Sequence, residues 1–162
     1  MRDVINELGF LCLGTRLRRL GDWLQADVQR LIDAAGLPIQ AGQYPLLAAL
    51  DRLGPLTVGE LVAALGISQP GVTQMAARLE ALGLIEIRSD LSDRRTRTIA
   101  LSAGGRRLIA KSKRDLWPRI EAAVLEACGG PQSPLLDLLA KIEEELERAP
   151  LATRSPATER RR

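Results

Sequence analysis

The sequence predicts a mainly α fold carrying one small β-hairpin, and three observations carry that expectation. Apolar residues recur at spacings of three and four over long stretches, the pattern of helices with one buried face. Only four aromatics occur in 162 residues (Phe10, Trp23, Tyr44 and Trp117), so the core must be aliphatic. Leu and Ala, both strong helix formers, dominate it. Alternation with period two is confined to two short stretches, Leu84–Arg88 and Thr96–Leu101.

Taken in order, the segment from Arg2 to Ala35 reads as one long amphipathic helix. Leu13, Leu17, Leu20, Leu24, Val28, Leu31 and Ile32 line one side, and Gly36-Leu37-Pro38 ends it. Such a stripe needs a further apolar surface to cover it. A second helix spans Ala41 to Leu53 and is closed by Gly54-Pro55. Thr57-Val58-Gly59-Glu60 then has the form of a capping box, in which Thr57 starts a helix and Glu60 reaches back to it. That short helix turns Leu61, Val62 and Leu65 inward and stops at Gly66. Ser68 caps the next helix, with Pro70 in its first turn, where a missing N–H costs little. Val72, Met75, Ala76, Leu79 and Leu82 are its expected buried side, and Gly83 its stop.

Two strands follow, with Ile85 and Ile87 in the first and Ile99 and Leu101 in the second. They are joined by Ser89-Asp90-Leu91-Ser92-Asp93-Arg94-Arg95, a polar turn. Ser102 opens a long helix to about Cys128, with a kink expected at Pro118. Gly129-Gly130-Pro131 breaks the chain. Pro134 to Ala149 forms a last helix with Leu135, Leu138, Leu139, Ile142 and Leu146 on one face. Pro150 to Arg162, rich in Thr, Ser, Pro and Arg, reads as a disordered basic tail.

Two short helices joined through Leu65-Gly66-Ile67-Ser68 and followed by a hairpin make a winged helix-turn-helix. The second helix of such a pair suits the DNA major groove, about 12 Å wide. Its outward face holds Gln69, Thr73, Gln74 and Arg78, with Ser68, Pro70 and Gly71 at the leading end. Gln pairs with adenine edges, Thr offers a hydroxyl and a methyl, and Arg serves guanine or phosphate. One cation on this helix cannot supply the electrostatic affinity; the wing can. Arg94, Arg95 and Arg97 cluster at its tip, with Asp93 as their orienter. The net charge of +3 is mild, but from Glu86 to Arg114 nine basic residues face three acidic ones, a footprint suited to a polyanion. In that count Arg106, Arg107, Lys111, Lys113 and Arg114 read as a solvated helix face.

Other classes are argued against by what the chain lacks. It has no histidine, which excludes a Ser-His-Asp triad, a Cys-His dyad and the usual zinc sites. It has no P-loop or other glycine-rich phosphate motif, so no enzyme is expected, and no cofactor or metal. No signal peptide is legible at the N-terminus and no apolar run reaches the ~20 residues of a bilayer span, so the expected location is the cytoplasm, away from any membrane.

The run from Leu56 to Ile109, a third of the chain, closely resembles the multiple-antibiotic-resistance regulator (MarR) family. The matching motifs are Gly66-Ile67-Ser68, Arg78-Leu79-Glu80, Gly83-Leu84-Ile85, Asp93-Arg94-Arg95 and Leu101-Ser102-Ala103-Gly104-Gly105. The flanking helices fit in order and length, extending the likeness over about 150 residues. A departure lies at Gln74, where many members carry a basic residue. The resemblance implies a homodimer intertwined through residues 1–36 and 103–149, around a DNA-binding lobe at 37–102. It also implies a palindromic double-stranded DNA site, usually repressed, with release by a small molecule in the crevice between the dimerisation and DNA-binding regions or by cysteine oxidation. Cys12 stands near the place where peroxide-sensing members carry their thiol, but its Leu11 and Leu13 neighbours read as packing around an inert cysteine. Trp23, Tyr44 and Trp117 are candidates to line the crevice. A dimeric adaptor that binds no DNA is the remaining alternative.

Overall fold

The structure, a computed structural model, describes residues 2–89 and 97–154. The chain divides into two compact units, with the boundary between Glu121 and Ala122.

The first unit begins with α1 (Val4–Glu7), a 3₁₀ turn over Gly9–Cys12, and α2 (Leu13–Ala34). One continuous helix was the expectation. The helix instead breaks at Leu8-Gly9, where Gly9 adopts a φ of +54°. Asp3 holds the break in place. One carboxylate oxygen caps α1 by accepting from the Asn6 amide at 3.2 Å, and both oxygens accept from the Arg19 guanidinium at 3.1 and 2.8 Å. The Arg19 guanidinium, with the capping amide, holds the Asp3 carboxyl below its usual range. Arg19 also lies 5.2 Å from the centre of the Trp23 ring. Ends that a continuous helix would separate are thus clipped together.

A 3₁₀ turn (Ala41–Gln43) precedes α3 (Tyr44–Leu53), so only the latter part of the expected second helix is α-helical. Next comes an element with no signal in the sequence, the two-residue strand β1 (Leu56–Thr57). The capping box forms as expected at the start of α4 (Val58–Leu65). Thr57 Oγ1 accepts from the Glu60 amide at 3.2 Å, and Glu60 Oε2 accepts from the Thr57 amide at 2.7 Å. These bonds favour the carboxylate and lower the Glu60 pKa. Gly66 takes the left-handed conformation that ends α4, and Ser68 caps α5 (Gln69–Ala81), its Oγ accepting from the Gly71 amide at 3.3 Å.

Strands β2 (Ile85–Ser89) and β3 (Arg97–Leu101) pair antiparallel, Ile85 opposite Leu101 and Ile87 opposite Ile99. The sheet has three strands in the order β1-β3-β2, because Leu56 and Thr57 pair with Ile99 and Thr98. One expected core position fails, and one strand isoleucine lies in solvent. Leu82 is 43% exposed, since α5 ends at Ala81, and Ile87 is 41% exposed, although Ile99 opposite it is buried.

Helix α6 (Ala103–Asp115) starts on Ser102, whose Oγ accepts from the Gly105 amide at 3.0 Å and donates to the Gly83 carbonyl at 2.6 Å. The run Ser102-Ala103-Gly104-Gly105 is needed for this approach. A Cβ on Gly105 would lie 2.0 Å from the Leu84 carbonyl oxygen. The expected kinked helix through Pro118 is instead two helices. α6 ends before buried Leu116, and α7 (Trp117–Ala127) starts at once, with Pro118 in its first turn. A proline ring obstructs the carbonyl four residues back, so it begins a helix more readily than it continues one. The core joins Ile32 of α2, Leu46 and Leu47 of α3, Leu61 of α4, Leu79 of α5, Ile99 of β3 and Ile109 of α6.

The second unit holds the end of α7, the left-handed pair Gly129-Gly130, α8 (Leu135–Arg148) and a 3₁₀ turn over Leu151–Thr153. No residue of α8 is buried; Leu135, Leu138, Ile142 and Leu146 all remain exposed. The beginning of the expected tail is ordered into that turn. Arg154 donates to the Ala149 carbonyl at 3.0 Å and to Glu145 at 3.1 Å. Residues 155–162 lie outside the described residues.

Candidate nucleic-acid interface

Helix α5 buries Val72, Ala76 and Leu79 and presents the opposite side to solvent. On that side Gln69, Pro70, Thr73, Gln74 and Arg78 are exposed, and Ser68 is exposed at the leading end. The sequence-expected face therefore comes together on one helix. Not every member is equally available. Ser68 Oγ is used as the helix cap. The Thr73 hydroxyl donates to the Gln69 carbonyl at 2.9 Å, which leaves the oxygen lone pairs and the methyl as its outward chemistry. Gly71 is partly buried, and a Cβ there would sit 3.3 Å from Ser68 Oγ, so a larger residue would press on the cap.

Arg78 is not free-standing. Its Nη1 donates to Gln40 Oε1 at 3.2 Å, across 38 residues of chain. Sequence reasoning missed Gln40, because nothing local to it signals a partner so distant. Of the expected wing residues, Arg97 is described and exposed at the start of β3, where it pairs with Ser89. Asp93, Arg94 and Arg95 lie outside the described residues. Arg88 of β2, which the sequence did not single out, is exposed but hydrogen-bonded to Glu86. Several cations read as a solvated face have structural partners. Arg106 donates to the Leu101 carbonyl at 2.8 Å, Lys113 pairs with Asp51 of α3, and Arg114 pairs with Asp115.

A separate cleft of about 380 Å³ opens within the first unit. Its walls are Gln25 and Val28 of α2, Ala41, Tyr44, Pro45 and Ala48, and Trp117, Ile120 and Glu121 of α7. Tyr44 and Trp117 meet edge to face with ring centres 6.1 Å apart. Ser112 donates to the Leu108 carbonyl at 2.9 Å, so the 2.8 Å contact between Ser112 Oγ and the Tyr44 hydroxyl must have Tyr44 as donor. Burial raises the Tyr44 pKa. Trp23 takes no part in this cleft and is largely exposed, so two of the three candidate aromatics line it. Cys12 and Cys128 are both half-buried thiols without a disulfide. Among the described residues no helix is long and apolar enough to cross a membrane.

The MarR family model matches residues 35–96, from the end of α2 through the helix pair and β2. Two curated regulators are each 30% identical to the chain over 107 residues. One is the transcriptional activatory protein BadR of Rhodopseudomonas palustris, where the match covers 64% of this chain and 57% of BadR. The other is the uncharacterized HTH-type transcriptional regulator YcgE of Bacillus subtilis, with 61% of this chain and 67% of YcgE covered. The chain belongs to the MarR family. Among solved structures, this MarR-family chain is similar to the transcriptional repressor CouR bound to a 23-mer DNA duplex. The TM-score is 0.73 at 28% identity, over 88% of this chain and 99% of CouR. The chain spans just over half of BadR, so its likeness to BadR is confined to the shared region. The mainly α fold with a small antiparallel sheet is that of the family's winged helix structures.

Proposed function

We propose that this MarR-family chain is a sequence-specific double-stranded DNA-binding regulator that works as a homodimer. In this reading α5 enters the major groove with Gln69, Thr73, Gln74 and Arg78. Ser68, Pro70 and Gly71 approach the sugar-phosphate wall, and Asp93, Arg94, Arg95 and Arg97 grip the backbone or minor groove. The observation that carries it is the exposed polar side of α5, held rigid by its buried Val72-Ala76-Leu79 side and capped at an exposed N-terminus. CouR, a similar chain described as bound to a 23-mer DNA duplex, supports the DNA-binding part of this reading. The apolar exposed stripes of α2 and α8 supply the surface that a second copy would cover. A two-fold dimer sets two recognition helices about one DNA turn (~34 Å) apart, which calls for a palindromic site.

Repression is the favoured outcome, because CouR, covered almost entirely, is a repressor by name, whereas BadR, covered by little more than half, is an activator. The cleft between α2, α3 and α7 is read as the seat of a small-molecule effector; its volume falls in the ordinary range for such sites, about 300–1,000 Å³.

The test is fluorescence anisotropy of the protein on its own upstream DNA and on an unrelated duplex, across several salt concentrations. Tight, strongly salt-dependent binding to the upstream DNA with weaker binding to the control supports the reading. Absence of binding to either duplex at low salt refutes it and favours the adaptor.

A further inference from the structure

We infer that Gln40 is a positioning residue that sets the Arg78 guanidinium for its contact with DNA, an inference that rests on the DNA-binding reading of α5. Gln40 stands just before the 3₁₀ turn at Ala41–Gln43 and is itself exposed, yet its backbone is fastened on both sides. The Gln29 side chain of α2 spans it. Gln29 Nε2 donates to the Ile39 carbonyl at 3.3 Å, and Gln29 Oε1 accepts from the Ala41 amide at 2.8 Å. Ile39 and Ala41 are buried in the core. The Gln40 amide N–H donates to Gln43 Oε1 at 2.8 Å, and Gln43, also buried, donates its own amide to the Gln40 carbonyl at 2.9 Å. The result is a fixed base from which one short polar arm reaches the recognition helix.

The chemistry of that arm is suited to the task. An arginine side chain has many rotamers, and a contact that must first order them is weakened by the lost freedom. Gln40 Oε1 orders the guanidinium by accepting from Nη1 at 3.2 Å. The amide is neutral, so it leaves the positive charge intact for phosphate and leaves the other guanidinium N–H donors for a guanine edge or phosphate oxygens. A carboxylate at the same place would hold the guanidinium equally well and cancel its charge. Gln29 and the Gln43 side chain fasten the backbone around residue 40 without using its side chain; the Gln40 side chain adds a capping-box contact to the Gln43 amide, so a loss at Arg78 is read against Tm.

The experiment uses the full chain and a duplex selected from a random library by the wild-type protein, with single-base variants of that duplex. Gln40→Ala is expected to weaken binding by about two- to tenfold, the cost of ordering one long side chain, with only a small fall in Tm from the lost capping-box contact. In an Arg78→Ala background the same substitution should have no further effect, because the two act through one contact. Gln40→Glu should keep the base preference of the wild type while flattening the salt slope by about one unit, the signature of a cancelled phosphate contact. The inference is overturned if Gln40→Ala costs the same with and without Arg78, if it lowers Tm in step with affinity, or if Arg78→Ala is itself silent. A wild-type protein that selects no duplex at low salt removes the DNA-binding reading and this inference with it. Selection that succeeds while Gln40→Ala is silent removes this inference alone.

Discussion

Helices α5 and α8 are of similar length, 13 and 14 residues, and both carry aliphatic residues at helical spacing, yet they end in opposite states. In α5 the apolar side is sealed: Val72, Ala76 and Leu79 are buried against other elements of the first unit. In α8 no residue is buried, and Leu136 is 77% exposed. The first half of α2 resembles α8, with Leu17, Leu20 and Leu24 exposed, whereas its last turns carry buried Ile32. The lesson is that amphipathic pattern states that a face must be covered and is silent on what covers it. The first unit finishes its core within one chain. The helical ends carry apolar area that a single chain leaves in water, the situation a second copy relieves.

The largest effect should come from charging the unfinished face. Leu138→Glu combined with Ile142→Glu places two carboxylates in the α8 stripe. Sedimentation should then report a monomer where the parent is expected to sediment as a dimer, and the far-UV helical spectrum should be retained. A parent that already sediments as a monomer would break the comparison.

On the sealed side, Leu47→Ala should cost about 2–5 kcal/mol in urea unfolding, since its neighbours in the core cannot collapse fully into the space. The oligomeric state of the folded protein should not change. Next in size is Gly105→Ala. A Cβ 2.0 Å from the Leu84 carbonyl must displace the hairpin from the start of α6, and overpacking of this kind costs about 1–3 kcal/mol. Gly104→Ala, which meets the Gly83 carbonyl at 3.1 Å, should cost less.

The smallest predicted effect concerns the Tyr44–Ser112 bond. Tyr44→Phe should cost about 1 kcal/mol at neutral pH, the usual net value of one hydrogen bond. The pH dependence sharpens this. Burial raises the Tyr44 pKa above the unfolded value, about 10, so the folded state favours the neutral phenol. That preference contributes fully below pH 10 and is lost as the pH climbs through the raised folded value. Wild type should therefore lose stability above pH 10 that Tyr44→Phe does not lose. Equal losses in the two proteins would show that the tyrosine does not govern this window.

Much of the lobe was legible because its signals are local. Thr57 with Glu60, Ser68 with Pro70, and Ser102 ahead of Gly104-Gly105 each solve a helix-end problem within three residues, and each does so in the structure as the sequence expects. The exposed face of α5 was legible for the same reason: Gln69, Thr73, Gln74 and Arg78 follow from the 3.6-residue period once Val72 and Leu79 are placed inside. What escaped depends on partners far along the chain. The strand at Leu56-Thr57 exists only because Ile99 and Thr98 offer a free edge. The break at Gly9 is held by Asp3 meeting Arg19, and Leu82 and Ile87 are apolar residues that tertiary packing left in solvent.

The sequence by itself determined the order of the elements, most of their caps and stops, the aliphatic core around α3 to α5 and the polar side of α5. Periodicity, capping chemistry and glycine backbone freedom act over a few residues, so one chain read in order contains them. Tertiary structure alone decided which cations are engaged and which face outward, through Lys113 with Asp51, Arg106 with the Leu101 carbonyl, and Arg78 with Gln40. It also decided that Tyr44 and Trp117, 73 positions apart by number, meet beside one cleft while Trp23 does not join them. Contacts of that range depend on how packed helices bring distant side chains within a few ångströms, and no local rule of spacing encodes that distance.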